Sequence, residues 1–302
     1  MSRSGLISIG TNSTRALVAD LEADPPATLL HRSIGTRIGE GLRERGHLDE
    51  NAMQRTLDAI AEHLTAIREH TSEVRIIATS ALRRADNEEP FARSVQALTG
   101  TNLEIISGEE EAACSFAGAL SGLHGEPGER FGVLDVGGGS SEYAVGTKHG
   151  AEQMVSCEVG AVRLTEAFPA LSGARRVTQH VRDQACAAAR EALAPAGNLA
   201  AVSRVVLVGG SATTTVSLLS GKREFFDYAQ LSTAQIDSWI ERLAAMPLEE
   251  RKRVPGMNPQ RADILLGGLL IVREFLTMSG HGTALVSTSD VLLGYLLRHP
   301  GR

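Results

Sequence analysis

The strongest constraint on how this 302-residue chain folds is a short passage that occurs twice. Residues 6–14 and 133–141 each place an apolar run directly before a turn of small residues. Ser8 and Asp135, 127 positions apart, occupy equivalent places in the two copies. An apolar run that stops at glycines is typical of a buried strand followed by a tight turn. A third passage, residues 206–213, has the same character. We interpret the repetition as an internal duplication at the scale of a domain.

The spacing of apolar residues predicts the same order of elements in both halves of the chain. In the first half the order is βββαβαβα, and it includes an amphipathic helix on which Met53, Leu57 and Ile60 share one face. The second half repeats βββαβαβα once one helical insertion is allowed. We therefore predict an α/β protein with domains at residues 1–122 and 123–302, which face each other across a cleft. The last helix is expected to return to the first domain.

Composition and charge exclude several functional classes. The 30 basic residues are outnumbered by 36 acidic ones, which argues against a nucleic-acid-binding surface. The apolar stretch from Ile264 to Val272 is too short to span a membrane, and residues 1–8 lack the apolar core of a secretory signal. We therefore expect a cytoplasmic protein whose partners include neither a membrane nor a nucleic acid.

The cysteines and histidines give no sequence signal for a metal site or a disulfide framework. Cys114, Cys157 and Cys186 are far apart and odd in number, and the nine histidines show no metal-binding spacing. Scattered cysteines of this kind usually serve as small, buried apolar residues.

The repeated glycine turns predict phosphate binding. Small residues let backbone N–H groups approach an anion closely, and serine and threonine hydroxyls add further donors. Asp135 ends a buried strand immediately before such a turn, where a carboxylate suits Mg²⁺. An ordinary hairpin with Asp135 as a turn former is the alternative for one turn alone. Three similar turns favour phosphate, although none matches the P-loop or the dinucleotide fingerprint.

Two further segments of the first half carry charged residues at sites suited to ligand binding. Arg83 and Arg84 follow a buried strand, where a guanidinium could grip a phosphoryl group, although a solvated surface position explains Arg84 equally well. Three glutamates, Glu109, Glu110 and Glu111, open a helix, and the helix dipole is a sufficient account of the first two. A carboxylate facing the cleft could deprotonate water, but periodicity does not indicate which of the three would do so.

Together these motifs resemble those of the exopolyphosphatase/guanosine pentaphosphate phosphohydrolase family, within the actin-like ATPase superfamily. The resemblance covers nearly the whole chain and is strongest to the short, two-domain members. It implies two ribonuclease H-like (actin-like ATPase) domains. The motifs that carry it lie at residues 9–13, 78–83, 106–112, 135–142, 209–211 and 261–263.

The resemblance also implies a reaction and a role for each matching residue. The reaction is release of terminal orthophosphate from inorganic polyphosphate, or of the γ-phosphate from pppGpp. Glu111 would act as general base on the attacking water, Arg83 would be a catalytic residue next to the phosphoryl chain, and Asp135 and Glu142 would hold Mg²⁺. A monovalent cation such as K⁺ and a homodimer are also compatible with the resemblance. The phosphate-binding positions it implies are Thr11, Asn12, Ser13, Gly137, Gly138, Gly139, Ser140, Gly210 and Ser211.

Two departures from the family pattern keep other functions open. Ser8 stands where the family usually has aspartate, and residues 286–294 replace an acidic, Arg-Glu-bearing signature with apolar residues. Both favour a second hypothesis, a catalytically weak or inactive sensor that binds polyphosphate or (p)ppGpp. A third hypothesis is an ATP-using kinase of the same superfamily, but the sequence has no dedicated adenosine signature.

Overall fold

The computed structural model describes residues 3–223 and 227–300, so the outermost residues of the two predicted domain ranges, 1–2 and 301–302, lie outside it. The first half of the chain builds a five-stranded sheet with the strand order β3-β2-β1-β4-β5. Its elements are β1 (Arg3–Ile9), β2 (Thr14–Asp20), β3 (Ala27–Ile34), α1 (Leu42–Arg45), α2 (Glu50–Arg68), β4 (Val74–Ala78), α3 (Ser80–Arg84), α4 (Glu88–Thr99), β5 (Leu103–Ile105) and α5 (Gly108–Leu120).

The second half builds a six-stranded sheet with the strand order β10-β11-β9-β6-β7-β8. Its strands are β6 (Phe131–Val136), β7 (Ser141–Thr147), β8 (Gly150–Cys157), β9 (Arg204–Val208), β10 (Ala229–Ser232) and β11 (Thr283–Val286). Its helices are α6 (Ala161–Ala167), α7 (Gln179–Leu193), α8 (Gly210–Ser220), α9 (Thr233–Ala245), α10 (Leu248–Arg251), α11 (Leu265–Met278) and α12 (Val291–Arg298).

The predicted fold class is confirmed, because two mixed α/β sheets carry the helices in the expected order. Strand β10 is an addition that the apolar pattern did not predict. It has four residues, only one of which is buried, and it pairs antiparallel with β11 at the sheet edge. An edge strand this short has no alternating apolar pattern to signal it. Among the described helices, none combines the length and apolarity that crossing a membrane requires.

The duplicated passage folds into two equivalent hairpin turns. Ile9 of β1 pairs with Thr14 of β2 beside one turn, and Val136 of β6 pairs with Ser141 of β7 beside the other. Within each turn the first glycine N–H donates to a serine carbonyl oxygen 3.0 Å away, at Gly10 and at the equivalent Gly137. The first strand of each half also pairs in parallel with the fourth strand of the same half: β1 pairs with β4, and β6 pairs with β9. The sequence repeat is therefore a repeat of structure.

The last helix of each half packs on the sheet of the other half. Ala112 and Phe116 of α5 belong to a core cluster with Phe131 and Val133 of the second sheet. In the same way, the apolar residues of α12 belong to a cluster with Leu6 and others from the first sheet. The domain boundary between residues 122 and 123 stays a prediction. Helix α5 precedes this boundary in the chain, but it packs on the second sheet.

Glycines permit α5 and α12 to cross in direct backbone contact. A Cβ atom added to Gly294 would lie 1.7 Å from the carbonyl oxygen of Cys114, and one added to Gly118 would lie 2.1 Å from the carbonyl oxygen of Asp290. Real Cβ atoms do not approach backbone oxygens this closely. The exchange of helices between the two sheets therefore depends on the absence of side chains at Gly118 and Gly294.

We expect Gly294→Ala to lower the free energy of unfolding by about 1–3 kcal/mol, because overpacking against backbone forces the helices apart. Gly282→Ala is the matched control, since a Cβ at Gly282 meets nothing within 4 Å. Urea unfolding followed by circular dichroism would measure both variants. Equal stability of the two variants would contradict the proposed importance of this crossing.

Candidate active site

The two glycine turns face each other across a narrow cleft. A Cβ on Gly138 would lie 2.9 Å from Cβ of Thr11, and one on Gly139 would lie 2.7 Å from Oγ1 of Thr11. Glycine is thus needed at Gly138 and Gly139 for close approach between the halves. Eight of the nine residues predicted to bind phosphate line this cleft: Thr11, Asn12, Ser13, Gly137, Gly138, Gly139, Ser140 and Gly210.

Ser211 is the predicted phosphate-binding residue that the structure places elsewhere. Its side chain is buried at the start of α8, and a Cβ added to Gly268 of α11 would lie 2.0 Å from its Oγ. The hydroxyl therefore packs against α11, and Ser211 is absent from the cleft wall that Gly209 and Gly210 help to form. The sequence pattern indicated the turn but could not give the direction of this side chain.

The start of α5 brings Glu111 into the cleft. The side chain of Ser107 caps the helix by accepting a hydrogen bond from the N–H of Glu110 at 3.1 Å. This cap fixes the phase of the helix, so that Glu109 is exposed while Glu111 is 7% exposed and lines the cleft. The structure thereby singles out Glu111, the glutamate that the resemblance indicated and that periodicity alone could not distinguish.

Arg83 holds the Glu111 carboxylate in place. Its Nη1 donates to Oε2 of Glu111 at 2.7 Å and to the carbonyl oxygen of Ile106 at 2.9 Å, and its Nη2 lies 3.8 Å from Oε1 of Glu142. Burial raises the pKa of Glu111 above its ordinary value, and the charge of Arg83 opposes that rise. Arg83 is not part of the cleft wall. In this conformation it orients the carboxylate and does not face the place where a phosphoryl group would lie.

Asp135 and Glu142 form a pair of buried carboxylates on neighbouring strands. They are directly opposite each other in the register of β6 and β7, so their side chains are on the same face of the sheet. Ser115 donates to Oδ2 of Asp135 at 2.7 Å, and Ser156 donates to Oε1 of Glu142 at 2.7 Å. Asp135 lines the cleft, whereas Glu142 lies behind it and is 1% exposed.

The electrostatics of this pair fit a divalent cation. Burial and the nearby charge of Asp290 raise the pKa of Asp135 to about 7. Burial and the charge of Glu111 raise the pKa of Glu142 well above its ordinary value. Oε2 of Glu142 also makes no hydrogen bond to any residue that the structure describes. Crowded carboxylate oxygens that lack full compensation are the ligands that Mg²⁺ prefers, so these residues fit the predicted metal.

Two arginines that the sequence analysis did not assign to the site also line the cleft. Arg261 lies against Gly210, where a Cβ would meet its guanidinium carbon at 1.9 Å. Burial and the charge of Arg15 lower the pKa of Arg261 to about 10, so it stays cationic at neutral pH. Arg15 pairs with Asp290, the residue that caps α12. Both arginines therefore add positive charge beside the glycine turns.

The duplication itself contained the signal that could have identified Arg15. In the second half Asp135 pairs with Glu142, and in the first half the equivalent pair is Ser8 with Arg15. One half of the site thus presents two acids where the other presents a hydroxyl and a cation. Oγ of Ser8 is buried and has no hydrogen-bond partner within the described part of the chain.

A larger cavity adjoins the cleft and shares Arg15, Gly210 and Arg261 with it. Its wall is mixed in character. Leu292 and Leu293 contribute apolar surface, and these two residues belong to the segment where the sequence departs from the family pattern. The wall also carries His31, Arg223, Asp227 and Asp290.

Comparison with known proteins identifies the family. The model of the Ppx/GppA phosphatase family matches residues 17–291. This chain belongs to that family. It is 33% identical over 330 residues to exopolyphosphatase 2 of Mycobacterium tuberculosis, a match that covers 100% of this chain and 99% of the relative. It is 29% identical over 303 residues to a bifunctional 3-dehydroquinate synthase/phosphatase of Fusobacterium nucleatum, covering 96% of this chain and 46% of the relative. The chain thus spans about half the length of that relative.

Solved structures agree with this assignment. A crystal structure of an exopolyphosphatase-like protein superposes with a TM-score of 0.91 at 26% identity, covering 98% of this chain and 97% of the other. The Ppx/GppA enzyme of Aquifex aeolicus gives a TM-score of 0.81 at 27% identity, covering 98% and 99%. The family and the actin-like fold predicted from the sequence are therefore confirmed.

The carboxylate cluster predicts how stability depends on pH. Folding raises the pKa of Asp135 from its ordinary value of 3.8 to about 7, so the folded protein keeps a proton that the unfolded chain releases. Wild-type stability should therefore fall as the pH rises through this window. Asp135→Asn cannot ionise, so its stability relative to wild type should increase from pH 4 to pH 7 and then level off.

Urea unfolding at several pH values, with a chelator present to remove divalent ions, would measure this effect. Asp58→Asn on α2 is the control, because Asp58 is exposed. A difference between Asp135→Asn and wild type that does not change with pH would contradict the assignment.

Proposed function

We propose that this protein is a phosphoanhydride hydrolase that releases terminal orthophosphate from inorganic polyphosphate. The observation that carries the proposal is the position of Glu111, a buried carboxylate held by Arg83 and aimed into the cleft that the two glycine turns form. Relatives named as exopolyphosphatases support the substrate class.

In the proposed reaction, Glu111 accepts a proton from water while the water oxygen attacks the terminal phosphorus. The bridging oxygen then leaves with the shortened chain. Desolvation makes Glu111 a stronger base than a carboxylate in water, and the hydrogen bond from Arg83 keeps it oriented. Such chemistry requires mainly positioning and neutralisation of charge.

The remaining groups of the cleft would neutralise the phosphoryl oxygens. Backbone N–H groups of the two turns can donate to them, and Arg15 and Arg261 supply positive charge at the same wall. Asp135 and Glu142 are the residues that would hold Mg²⁺, which would stabilise charge on the transferred group. K⁺ and a homodimer stay predictions from the resemblance.

The larger cavity favours pppGpp as a second substrate. A purely anionic chain would be attracted by Arg223 and Arg261 but repelled by the carboxylate of Asp227, while Arg15 and Asp290 neutralise each other as an ion pair. A nucleoside carries hydrogen-bond donors that carboxylates can accept. The mixed wall therefore favours a substrate that is phosphorylated at one end and bears a base at the other, as pppGpp does.

A sensor that binds polyphosphate or (p)ppGpp without turnover is the alternative function. Ser8 favours it, because a neutral hydroxyl stands where the equivalent position of the second half has the carboxylate of Asp135. One negative charge fewer should weaken metal binding. The ATP-using kinase is less well supported, since Glu111 is placed to activate water.

We expect Glu111→Gln to lower the rate of phosphate release from polyphosphate by about 10²–10⁴-fold, which is the usual contribution of a general base. Glu109→Gln is the matched control, because Glu109 is exposed on the same helical turn. Phosphate release in the presence of Mg²⁺ would be measured for both variants with polyphosphate, pppGpp and ATP. The same measurements on wild type show which of the three is the preferred substrate. Binding of either polyanion with no release by wild type would identify the sensor instead.

We also expect Mg²⁺ to raise the temperature of thermal unfolding, because it binds the folded carboxylate cluster. Asp135→Asn and Glu142→Gln should each reduce that increase, whereas Ser8→Asp should enlarge it by restoring an acid beside the cleft. Differential scanning fluorimetry across a Mg²⁺ titration would measure all three. An identical Mg²⁺ response in wild type and all three variants would place the metal elsewhere.

A further inference from the structure

A cluster of three potential metal ligands lies outside the proposed catalytic cleft, where α5 meets the end of α12. Within residues 3–223 and 227–300, Glu110, Cys114 and His299 offer one carboxylate oxygen, one thiol sulfur and one imidazole nitrogen, all within 4.8 Å of one another. Glu110 and Cys114 are one helical turn apart, so they share a face of α5. His299 follows α12 and is brought to them by the crossing of the two helices.

The hydrogen bonds within the cluster place the donor atoms close to the separations of a metal site. The Cys114 thiol donates to Oε1 of Glu110 at 3.3 Å, and Nε2 of His299 lies 2.9 Å from the same oxygen. Around Zn²⁺, bond lengths of about 2.0–2.3 Å and tetrahedral angles separate neighbouring ligand atoms by roughly 3.3–3.7 Å. Two of the three separations are therefore within a few tenths of an ångström of these values, and the third, between the Cys114 sulfur and the His299 nitrogen, is at most 4.8 Å.

The surroundings hold the ligands and leave one side open to water. Cys114 is fully buried, while the side chains of Glu110 and His299 are 27% and 21% exposed. The ring of Tyr295 packs on the ring of His299 with centroids 4.6 Å apart, and the Tyr295 hydroxyl donates to Glu104 at 2.7 Å. Such outer contacts orient an imidazole ligand. A water molecule can take the fourth position from the exposed side.

We propose that Glu110, Cys114 and His299 form a site for a borderline-soft divalent metal, of which Zn²⁺ is the chemical type. A carboxylate, a thiolate and a neutral imidazole carry two negative charges in total, which balance one divalent ion. The mixed sulfur, nitrogen and oxygen donors distinguish this site from the all-oxygen cluster at Asp135 and Glu142. Binding would replace the thiol proton, which leaves to solvent, and would fasten the end of α12 to the helix that carries Glu111.

Arg298 competes with the metal for Glu110. Its Nε and Nη2 each lie 3.2 Å from a Glu110 oxygen, and its side chain is 38% exposed. These contacts are long for charged hydrogen bonds, and an exposed guanidinium can turn into solvent. Removal of the guanidinium should therefore strengthen metal binding, an effect that a purely structural cluster would not show.

Titration of the purified full chain with Co²⁺, a spectroscopic substitute for Zn²⁺, tests the proposal. We expect one Co²⁺ per chain to bind with the near-ultraviolet absorption of a cobalt–thiolate bond. Cys114→Ser should abolish that absorption, and His299→Gln should weaken Co²⁺ affinity by about tenfold or more. Arg298→Gln should strengthen it. His299 follows α12 and its side chain is partly exposed, so His299→Gln should fold even if Cys114→Ser does not.

Controls separate this site from the other metal site and from the other thiols. Asp135→Asn should leave the thiolate absorption unchanged, and so should Cys186→Ser, which removes a half-buried thiol in α7. The readout is absorbance, so failure of the proposed hydrolase would not affect it. Absence of the thiolate band in wild type, or its persistence in Cys114→Ser, would overturn the proposal.

Discussion

The burial of three carboxylates around one cleft is the constraint on which the rest of the site depends. Glu111, Asp135 and Glu142 are each at most 7% exposed. The charge of Glu111 raises the pKa of both Asp135 and Glu142, and the charge of Asp135 also raises that of Glu142. Folding removes these groups from water at a cost that hydrogen bonds from Ser115, Ser156 and Arg83 offset only in part. A bound cation or proton would offset the remaining cost by compensating the negative charge. The proposed metal-assisted hydrolysis would place such a cation beside these carboxylates.

Much of the fold could be predicted from the sequence because the duplication repeats a local pattern. Apolar runs before glycines specify strands and turns wherever they occur, and the two copies therefore support each other. Side-chain direction could not be predicted in the same way. Ser211 turns towards α11, and Arg83 turns towards Glu111, because partners distant in the chain determine both orientations. The cap at Ser107 selects Glu111 among three glutamates, and its effect depends on a helix phase known only from the structure.

The positions that the sequence missed are those whose partners come from far along the chain. Arg261 lies in one of the motifs that carry the resemblance, but it reaches Gly210 from 51 positions later in the chain, and the motif gave it no role at the site. His299 lies 185 positions after Cys114, and no motif joins these two residues. Arg15 is the exception, because comparison of the two hairpins in register would have identified it. The pairing of Ser8 with Arg15, against Asp135 with Glu142, indicates that the duplicated halves diverged into a cationic side and an acidic side.

The exchange of α5 and α12 determines how the two sides of the site are joined. Glu111 follows the first sheet in the chain, but its helix packs on the second sheet, whose strands carry Asp135 and Glu142. Cys114 of the same helix also belongs to the core cluster of the first sheet and α12. Separation of the two sheets would therefore have to break the crossing of α5 and α12, and that crossing keeps Glu111 beside Arg83, its cationic partner from the first half of the chain.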